Sequence, residues 1–310
     1  MNTYKINFDI DLQQWSQCYL SVSKPNLPQS WHYGDAKMKS QNWKLVRGII
    51  TENDKPIALI QAWYKKILFL KLVRVSYGPL WIIENPSSSQ IKGVFYRIKK
   101  NWNLKKLSVL SIAPNLHNSP ENIKILKRLH FFKRKTIAFE SGLIDLKQPQ
   151  SGIRAKLRAN WRGHLNASEK KQLLFHASRE YSDFQWLMSC FKVLRKEKNF
   201  YGHSIALLEA LHNCHHDLFE TYVTIVSKGN EKIAGMLIVN SGSLCTSLVT
   251  YVNKSGRTLH AGNFLLWNSV LYAKNKGCAW FDLGGTIENK FKTGLPHIPF
   301  QFIGEYYSVI

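Results

Sequence analysis

The sequence predicts an α+β protein made of two domains of similar size. Its 310 residues exceed what one compact core usually organises and suffice for two. Segments with the periodicity of strands and of helices are mixed within each half of the chain. Near the middle, Lys147–Gly152 ("KQPQSG") has the composition of a linker. We therefore expect domains over 1–146 and 147–298, with a terminal strand over 299–310 as a candidate to complete the first.

In the first half, β-branched and aromatic residues dominate Ile57–Leu80, which predicts two or three strands. The strand "LSVLSIAP" ends at Pro114, and Ser119 and Pro120 fit the N-cap and first position of a helix. The strand "TIAFESGLIDL" closes this half. An earlier helix, within "SSSQIKGVFYRIKKNWNLKK", has apolar residues three and four positions apart: Ile91, Val94, Phe95 and Ile98.

In the second half, "IRAKLRANWRGHLNASEKK" predicts a basic helix, and two helices are expected over 184–198 and 204–213. Strands follow in "TYVTIVSKGNEKIAGMLIVN", with a Gly-Asn turn, and in "LCTSLVTYV". A helix near Asn263 ends before Gly277, and "CAWFDLGG" and "PFQFIGEYYSVI" predict further strands. The expected buried face of that helix consists of Leu265, Leu266, Val270 and Ala273.

The chain carries a large excess of positive charge, with 43 Lys and Arg, 20 Asp and Glu, and a net charge of +23. Such a charge attracts polyanions, among them nucleic acid, anionic phospholipid and pyrophosphate-linked metabolites. Between Ile91 and Lys135, twelve Lys or Arg stand against one acid, Glu121. The helix expected over Arg154–Lys171 adds more basic residues around Trp161. A polyanion partner is therefore predicted, with a tRNA acceptor arm and an anionic membrane both open.

The cysteines and the apolar runs bear on the compartment. The five cysteines are odd in number, widely spaced and without a CxxC pair, which predicts reduced thiols in a cytoplasmic protein. The start, "MNTYKINFDIDLQQW", lacks the pattern of a signal peptide. No apolar run approaches the ~20 residues of a membrane span, so contact with the inner membrane surface is expected to be peripheral.

The segment "TYVNKSGRTLHAGNFLLWNSV" predicts a strand, a loop and then a helix. The loop contains Arg257, His260 and Gly262, and the helix is expected to start at about Asn263. N–H groups at a helix start lack intrahelical acceptors and suit a phosphate or a carboxylate. Because any tight turn of this kind also uses glycine, anion binding and a purely structural turn are both open.

Five segments in a fixed order, spread over nearly the whole chain, carry a family pattern. They are "PQSWHYGDAK", "VSYGPLW", "LKRLHFFKRKTIAFESGLIDL", "LRANWRGHLNASEKK", and "AGNFLLW…AKNKGCAWFDLGG" with "FKTGL" and "EYY" after it. Together they resemble the FemABX-type transferases, which are peptidoglycan-bridge aminoacyltransferases of the BioF2-like acyltransferase superfamily. The resemblance implies two GNAT-like acyltransferase domains, without the coiled-coil arm that some members carry.

The resemblance also implies roles for individual residues. Lys292, after Phe291 in "FKTGL", matches a lysine that the family places near the reacting acyl group, so these two are the catalytic candidates. An ammonium fixed there would stabilise the oxyanion formed when an amine attacks an ester. Lys37 matches a lysine associated with the phosphates of the cell-wall precursor. Trp31 and Tyr77 are further substrate-binding candidates, although the family usually has Arg where Tyr77 stands.

The remaining candidates concern the two substrates. Arg257 is assigned to the phosphate-bearing substrate, since a planar guanidinium suits phosphate. Gly262, Asn263 and Arg162 are assigned to the acyl donor. Aminoacyl-tRNA is the expected co-substrate, and no permanently bound cofactor is expected. The acceptor would be an amine of a lipid- or nucleotide-linked cell-envelope precursor.

Two alternatives stay open beside this hypothesis. In the first, acyl-CoA is the donor and an amino sugar of a surface polysaccharide is the acceptor. In the second, the chain is a basic module that binds RNA or a membrane without catalysis. The sequence leaves the oligomeric state unknown.

Two other groups were weighed as sites. Asp282 in "WFDLGG" could act as a base, but a buried strand carboxylate more often caps a nearby loop. The segment "HNCHHD" (residues 212–217) fits the end of a helix, and zinc would need four converging ligands, so no metal is expected. The chain has no Gly-x-Ser-x-Gly, Walker or Rossmann pattern, which argues against covalent serine chemistry and nucleotide hydrolysis.

Overall fold

The structure is a computed structural model that describes residues 2–136, 138–199, 202–214, 216–285 and 291–308. The chain forms two compact units. The first unit comprises Met1–Glu140 and Phe300–Ile310, and the second unit comprises Ser141–Pro299. Each unit has its own core of buried apolar side chains.

The first unit is built on an eight-stranded sheet. Its strands are Tyr4–Asn7 (β1), Lys44–Glu52 (β2), Lys55–Ile67 (β3), Leu70–Ser76 (β4), Leu80–Trp81 (β5), Ser108–Ala113 (β6), Phe132–Lys133 (β7) and, from the end of the chain, Tyr306–Ser308 (β15). Its α-helices are Leu12–Leu20 (α1), Trp31–Gln41 (α2), Ser88–Asn101 (α3) and Pro120–Arg128 (α4), with 3-10 helices at Leu27–Gln29 and Leu104–Lys106. The strand order is β1-β2-β3-β4-β6-β15-β7, and β5 pairs with β3.

Local sequence signals explain the helices of the first unit. Helix α3 buries the predicted apolar face, made of Ile91, Val94, Phe95 and Ile98. Its N-cap is Ser87, whose side chain and that of Gln90 form a reciprocal capping box. Helix α4 begins at Pro120 with Ser119 as N-cap, as predicted. Ile57–Leu80 forms β3, β4 and the start of β5, which agrees with the two or three strands expected there.

The second unit is built on a seven-stranded sheet. Its strands are Glu140–Asp145 (β8), Leu174–Ser178 (β9), Phe219–Lys228 (β10), Glu231–Ser241 (β11), Leu244–Val252 (β12), Trp280–Asp282 (β13) and Ile298–Gln301 (β14). Its α-helices are Gln150–Ala155 (α5), Ala159–Glu169 (α6), Tyr181–Lys198 (α7), Ile205–His212 (α8), Lys254–Thr258 (α9) and Ala261–Asn275 (α10), and Lys292–Gly294 is a 3-10 helix. The strand order is β14-β8-β13-β12-β11-β10-β9.

Both units contain a parallel crossover that positions residues discussed below. In the first unit, β4 and β6 are parallel neighbours, and α3 lies between them in sequence. In the second, β12 and β13 are parallel neighbours, with α9 and α10 between them. Helix α10 buries Leu265, Leu266, Val270 and Ala273, which confirms its predicted face. None of the helices in the described ranges has both the length and the apolar character needed to cross a bilayer.

The structure differs from the expected elements at four places. The basic helix after the linker is two helices, α5 and α6, because the N–H of Arg158 bonds to the carbonyl of Gly294 instead of continuing the helix. The first of these begins inside the expected linker. The loop expected before α10 is largely helix α9, capped by the Asn253 side chain. The terminal strand is split into β14 and β15 around Gly304, whose φ is +104°.

The fourth difference concerns β8. The sequence assigns this strand to the end of the first domain, whereas in the structure it pairs with β13 in the second sheet. The reason is non-local, because Leu143 and Ile144 lie opposite Asp282 and Phe281. Residue 141 is thereby placed in the second unit, where it takes part in the candidate active site.

Candidate active site

Lys292 lies in the second unit, at the start of the 3-10 helix that follows β13 in sequence. Its Nζ donates to the carbonyl of Leu283 at 2.5 Å and to that of Gly285 at 3.4 Å. Burial lowers the pKa of Lys292, and the negative charge of Asp282 opposes this shift. The ammonium is therefore held on main-chain carbonyls just after β13, where it is partly removed from water.

Asp282, the last residue of β13, fixes the turn on which that lysine rests. Its carboxylate accepts hydrogen bonds from the hydroxyl of Ser141 and, at 2.8 Å, from the N–H of Gly284. Burial raises the pKa of Asp282, and these two bonds and the charge of Lys292 oppose the increase. The carboxylate is thus engaged within the turn, which favours the loop-capping interpretation over a role as base.

Gly284 leaves room for this arrangement. Its φ is +67°, a conformation that glycine adopts at little cost. A Cβ at this position would lie 2.7 Å from the carbonyl oxygen of Ser247 on β12 and 3.4 Å from the Nζ of Lys292. Any side chain here would therefore collide with the neighbouring strand and fill space next to the ammonium.

Phe291 and Gly262, two predicted site residues, are close together. A Cβ on Gly262 would lie 3.5 Å from the Cζ of Phe291, so the aromatic ring rests against the first turn of α10. The same ring lies 6.1 Å, between centroids, from Trp161 of α6. Phe291 therefore packs the segment that carries Lys292 onto α6 and α10.

The start of α10 differs from the expected set of unpaired donors. The N–H of Asn263 donates to the carbonyl of His260 at 3.0 Å, and that of Phe264 bonds to the same oxygen at 3.3 Å. His260 has φ +54° and stacks on His164 of α6 with 4.2 Å between ring centroids. The side chain of Asn263 is itself buried. The backbone donor expected from Asn263 is therefore already used inside the protein.

The two predicted arginines of this unit bind carbonyls close to their own positions. Arg162 donates to the carbonyl of Ala155 at 3.3 Å, at the end of α5. Arg257 donates to the carbonyl of Val252 at 2.9 Å, at the end of β12. Both side chains are exposed, and their assignments to the donor and to a phosphate stay predictions.

In the first unit, Lys37 is half-buried on α2. Its Nζ lies 4.3 Å from the centroid of the Trp63 ring, and Trp63 is fully buried in β3. Burial, and secondarily the positive charge of Arg74, lowers the pKa of Lys37 to about 8. This lysine therefore sits partly desolvated, near a second cation.

Close packing fixes the helix that carries Lys37. A Cβ on Gly34 would lie 2.1 Å from Oε1 of Gln61, so α2 can approach β3 only with glycine at this position. The Gln61 side chain also donates to the carbonyls of Pro28 and Ser30, at the entrance to α2. The glycine of "WHYGDAK" thus sets where Lys37 lies, one turn further along the helix.

Three more side chains lie near this part of α2. Arg74 lies directly across the sheet from Trp63 and is paired with Glu305 at 3.1 Å. Burial raises the pKa of Tyr33 to about 12, and nearby Tyr77 adds to the shift while Arg74 opposes it. Arg74 therefore lies near both Lys37 and Tyr33, whereas the Tyr77 ring packs against Phe139 and Phe302. Arg74 provides a guanidinium in this region, where the family pattern has Arg at the position of Tyr77.

Trp31 does not belong to this group of side chains. It precedes Lys37 by six residues, which places the two about 120° apart around an α-helix. The Trp31 ring instead carries the guanidinium of Arg47, 3.6 Å from its centroid, and Arg47 is paired with Asp35 at 2.6 Å. These contacts indicate that Trp31 packs α2 on β2. Among the described residues, no hydrogen bond or ring contact joins Trp31 to Lys37 or Tyr77.

Comparisons with known proteins identify a domain in the second half of the chain. Residues 154–293 match the model of the acetyltransferase (GNAT) domain family. These residues form a GNAT acyltransferase domain. A search of curated proteins finds no match to the chain. The domain identifies the protein as an acyltransferase, and it contains Lys292, Asp282 and Gly284.

Similarity to solved structures covers the whole chain. The crystal structure of FemX aligns with a TM-score of 0.78 at 13% identity, over 99% of this chain and 97% of that one. The C-terminal domain of a putative lysylphosphatidylglycerol synthetase from Agrobacterium fabrum aligns with a TM-score of 0.55 at 11% identity, over 95% and 91%. A tandem GNAT protein from the clavulanic acid biosynthesis pathway aligns at 0.50 and 8%, over 99% and 98%. The chain thus has a FemABX-type tandem GNAT fold, as predicted.

Sequence reasoning missed four residues around these sites. Ser141 and Gly284 hold the turn beneath Lys292 in the GNAT acyltransferase domain, and Trp63 and Arg74 surround Lys37. The "GG" after "WFDL" was a usable signal for Gly284. Ser141 gave none, because it is far from Asp282 in sequence. The described residues contain no group of three or more potential metal ligands, and His215 of the "HNCHHD" segment lies outside them.

Proposed function

We propose that this acyltransferase moves an amino acid from aminoacyl-tRNA to an amine of a peptidoglycan precursor or a related cell-envelope glycan intermediate. The amine nitrogen attacks the ester carbonyl, a C–N bond forms, and the C–O bond to the terminal ribose of the tRNA breaks. The proton lost by the amine ends on the ribose hydroxyl that leaves. The observation that carries the proposal is the desolvated Lys292 ammonium, held on the carbonyls of Leu283 and Gly285 in the GNAT domain.

Lys292 would act on the tetrahedral intermediate. Attack on the ester places negative charge on the carbonyl oxygen, and a cation fixed in advance in a dry site stabilises that charge without reorganisation. The Asp282 carboxylate keeps the supporting turn in place through Ser141 and Gly284. Since Asp282 is engaged in this way, we propose that the proton passes directly between the amine and the leaving oxygen.

The first unit would hold the phosphates of the lipid- or nucleotide-linked acceptor. Lys37 and Arg74 are two cations near each other, and burial and Arg74 both lower the pKa of Lys37, with no opposing acid among the described residues. A bound phosphate would supply the missing negative charge through charge-assisted hydrogen bonds. Tyr33 and Tyr77 lie in the same region and would contact the rest of the precursor.

The identity of the acyl donor is the second part of the proposal. The net charge of +23 supports a tRNA, whose backbone attracts lysine and arginine side chains. The match to an acetyltransferase family favours a second candidate, an acyl-CoA-dependent N-acyltransferase acting on an amino sugar. Against it, the start of α10 offers fewer free N–H groups than the sequence suggested, since the His260 carbonyl accepts two of them.

Incubation with labelled donors tests the proposal. The purified protein is given charged tRNAs with a labelled amino acid, or labelled acyl-CoA, together with cell-envelope precursors. We expect label from a charged tRNA to appear in an amide of a precursor, and we expect Lys292→Met to slow the transfer by about 10²- to 10³-fold. Transfer from acyl-CoA alone would contradict the tRNA-dependent reaction and establish the second candidate.

A further inference from the structure

The hairpin between β3 and β4 ends in large apolar side chains. Ile67 pairs with Leu70, so Leu68 and Phe69 form a two-residue turn. Leu68 is 89% exposed, Phe69 71% and Ile67 55%. Three consecutive apolar side chains thus face solvent at the end of a hairpin, where polar turn residues are the usual choice.

Folding does not require this turn sequence. Leu68 has φ +54°, a left-handed conformation that glycine and asparagine adopt more readily than leucine. The neighbouring hairpin, between β2 and β3, places Asn53 and Asp54 at φ 50° and 65°, the residue types expected there. Leu68 is therefore unfavourable both for the backbone and for solvation, which indicates a role outside the fold.

A second segment extends the apolar surface. The 3-10 helix before β6 exposes Leu104 (46%) and is followed by Leu107 (52%). The carbonyl of Leu107 accepts the N–H of Lys71 at 2.8 Å, which places this leucine next to the start of β4. Leu72 on β4 is also exposed. We call Ile67, Leu68, Phe69, Leu72, Leu104 and Leu107 the apolar tip.

Lysines accompany the apolar tip. They are Lys65, Lys66, Lys71, Lys105 and Lys106, and residues 65–72 and 104–107 include no acid. The ammonium of Lys65 lies 4.9 Å from the centroid of the Trp43 ring, and that of Lys71 lies 4.8 Å from that of Tyr64. Lysine ammonium groups and aromatic rings therefore lie close together next to the apolar turn. This combination is typical of residues at the interface of a bilayer.

We propose that the apolar tip docks the first unit on an anionic phospholipid surface. The apolar residues would enter the boundary between headgroups and acyl chains, and the lysines would stay at the level of the lipid phosphates. Stable peripheral binding needs two signals of this kind, an apolar insertion and a basic patch. RNA would engage the lysines and could stack a base on Phe69, but it gives the five aliphatic side chains of the apolar tip nothing to bury against.

Vesicle co-sedimentation tests the proposal, which does not depend on the proposed reaction. The wild-type protein is mixed with vesicles of phosphatidylcholine alone, or of phosphatidylcholine with phosphatidylglycerol. We expect binding to the mixed vesicles, and we expect Leu68→Gly with Phe69→Ser to weaken it by about tenfold or more. The melting temperature of this variant should not fall, because glycine accepts the positive φ of position 68 without strain.

A matched control removes an exposed leucine elsewhere. Leu174, 63% exposed at the start of β9 in the second unit, is changed to Ser and should leave vesicle binding unchanged. Lys105→Gln with Lys106→Gln should weaken binding to mixed vesicles and reduce its dependence on salt.

Three results would overturn the inference. One is wild-type protein that stays in solution with mixed vesicles. Another is equal binding of mixed vesicles by the wild type and by the variant with Leu68→Gly and Phe69→Ser. The third is a combined result. The wild type binds tRNA but no vesicles, and the variant with Leu68→Gly and Phe69→Ser no longer binds tRNA, which would assign the surface to nucleic acid.

Discussion

Lys37 in the first unit and Lys292 in the second are both half-buried, and burial lowers the pKa of each. Their partners differ. Lys37 lies on the face of Trp63, and the charge that acts on it, from Arg74, is also positive. Lys292 is bonded to two main-chain carbonyls and is influenced by the carboxylate of Asp282.

This difference separates two uses of a buried cation. An ammonium without an acid partner gains most when a ligand brings negative charge, so its surroundings suit binding. An ammonium held by fixed acceptors is oriented before the substrate arrives, which suits stabilisation of charge that develops during the reaction. We therefore propose that Lys37 contributes to acceptor affinity and Lys292 to the rate of the reaction, and the two roles can be tested separately.

The largest expected effect comes from Lys292→Met. If the ammonium stabilises the oxyanion, kcat should fall by about 10²- to 10³-fold, with little change in the KM for the acceptor. Steady-state kinetics of amide formation measure both constants. A control, Leu174→Ser, should leave both constants unchanged. A higher KM with an unchanged kcat would remove the distinction between the two lysines.

Lys37→Met should have the next largest effect and act on the other constant. Loss of a phosphate contact should raise the KM for the acceptor by about tenfold to a hundredfold with kcat nearly unchanged. Thermal unfolding gives a second measurement. The melting temperature should stay the same or rise, because an uncompensated ammonium is replaced by an apolar side chain of similar size. A clear fall in melting temperature would indicate a structural role for Lys37.

The smallest effect is a pH dependence confined to Lys37. Its pKa of about 8 means that the free enzyme loses this charge as the pH rises through that value. We expect kcat/KM for the acceptor to decline by a few-fold above about pH 8, where deprotonated Lys37 no longer attracts phosphate. Lys37→Arg should abolish this decline, because arginine keeps its charge. An identical decline in wild type and variant would assign it to another group.

Much of the second unit could be predicted from sequence because its signals are local. The apolar spacing of α10 and the glycine after it follow from residues within one element, and Gly277 indeed has φ +82°. The choice of Lys292 as a catalytic candidate rested on the family resemblance, and its contact with the turn after β13 was not predicted. Helix α9 was missed, since it is short, contains Gly256 and depends on the side chain of Asn253 for its start.

The remaining features depend on contacts between distant parts of the chain. Ser141 reaches Asp282 across 141 positions, and Glu305 reaches Arg74 across 231. No periodicity or spacing encodes such pairs, and they follow only from strand order. The separation of Trp31 from Lys37 is a local feature, because it follows from their spacing along α2. The helical periodicity alone could have predicted it.

The last strand, β15, lies between β6 and β7 and pairs with both. During synthesis, nearly all of the first unit leaves the ribosome before the second, yet this strand emerges only after the second unit. Until then one edge of β6 has no partner, and an exposed edge can pair with other chains. The first unit is therefore synthesised first, but its sheet is completed only after the second unit has been made. A nascent or truncated chain that lacks β15 is open to aggregation at the exposed edge of β6.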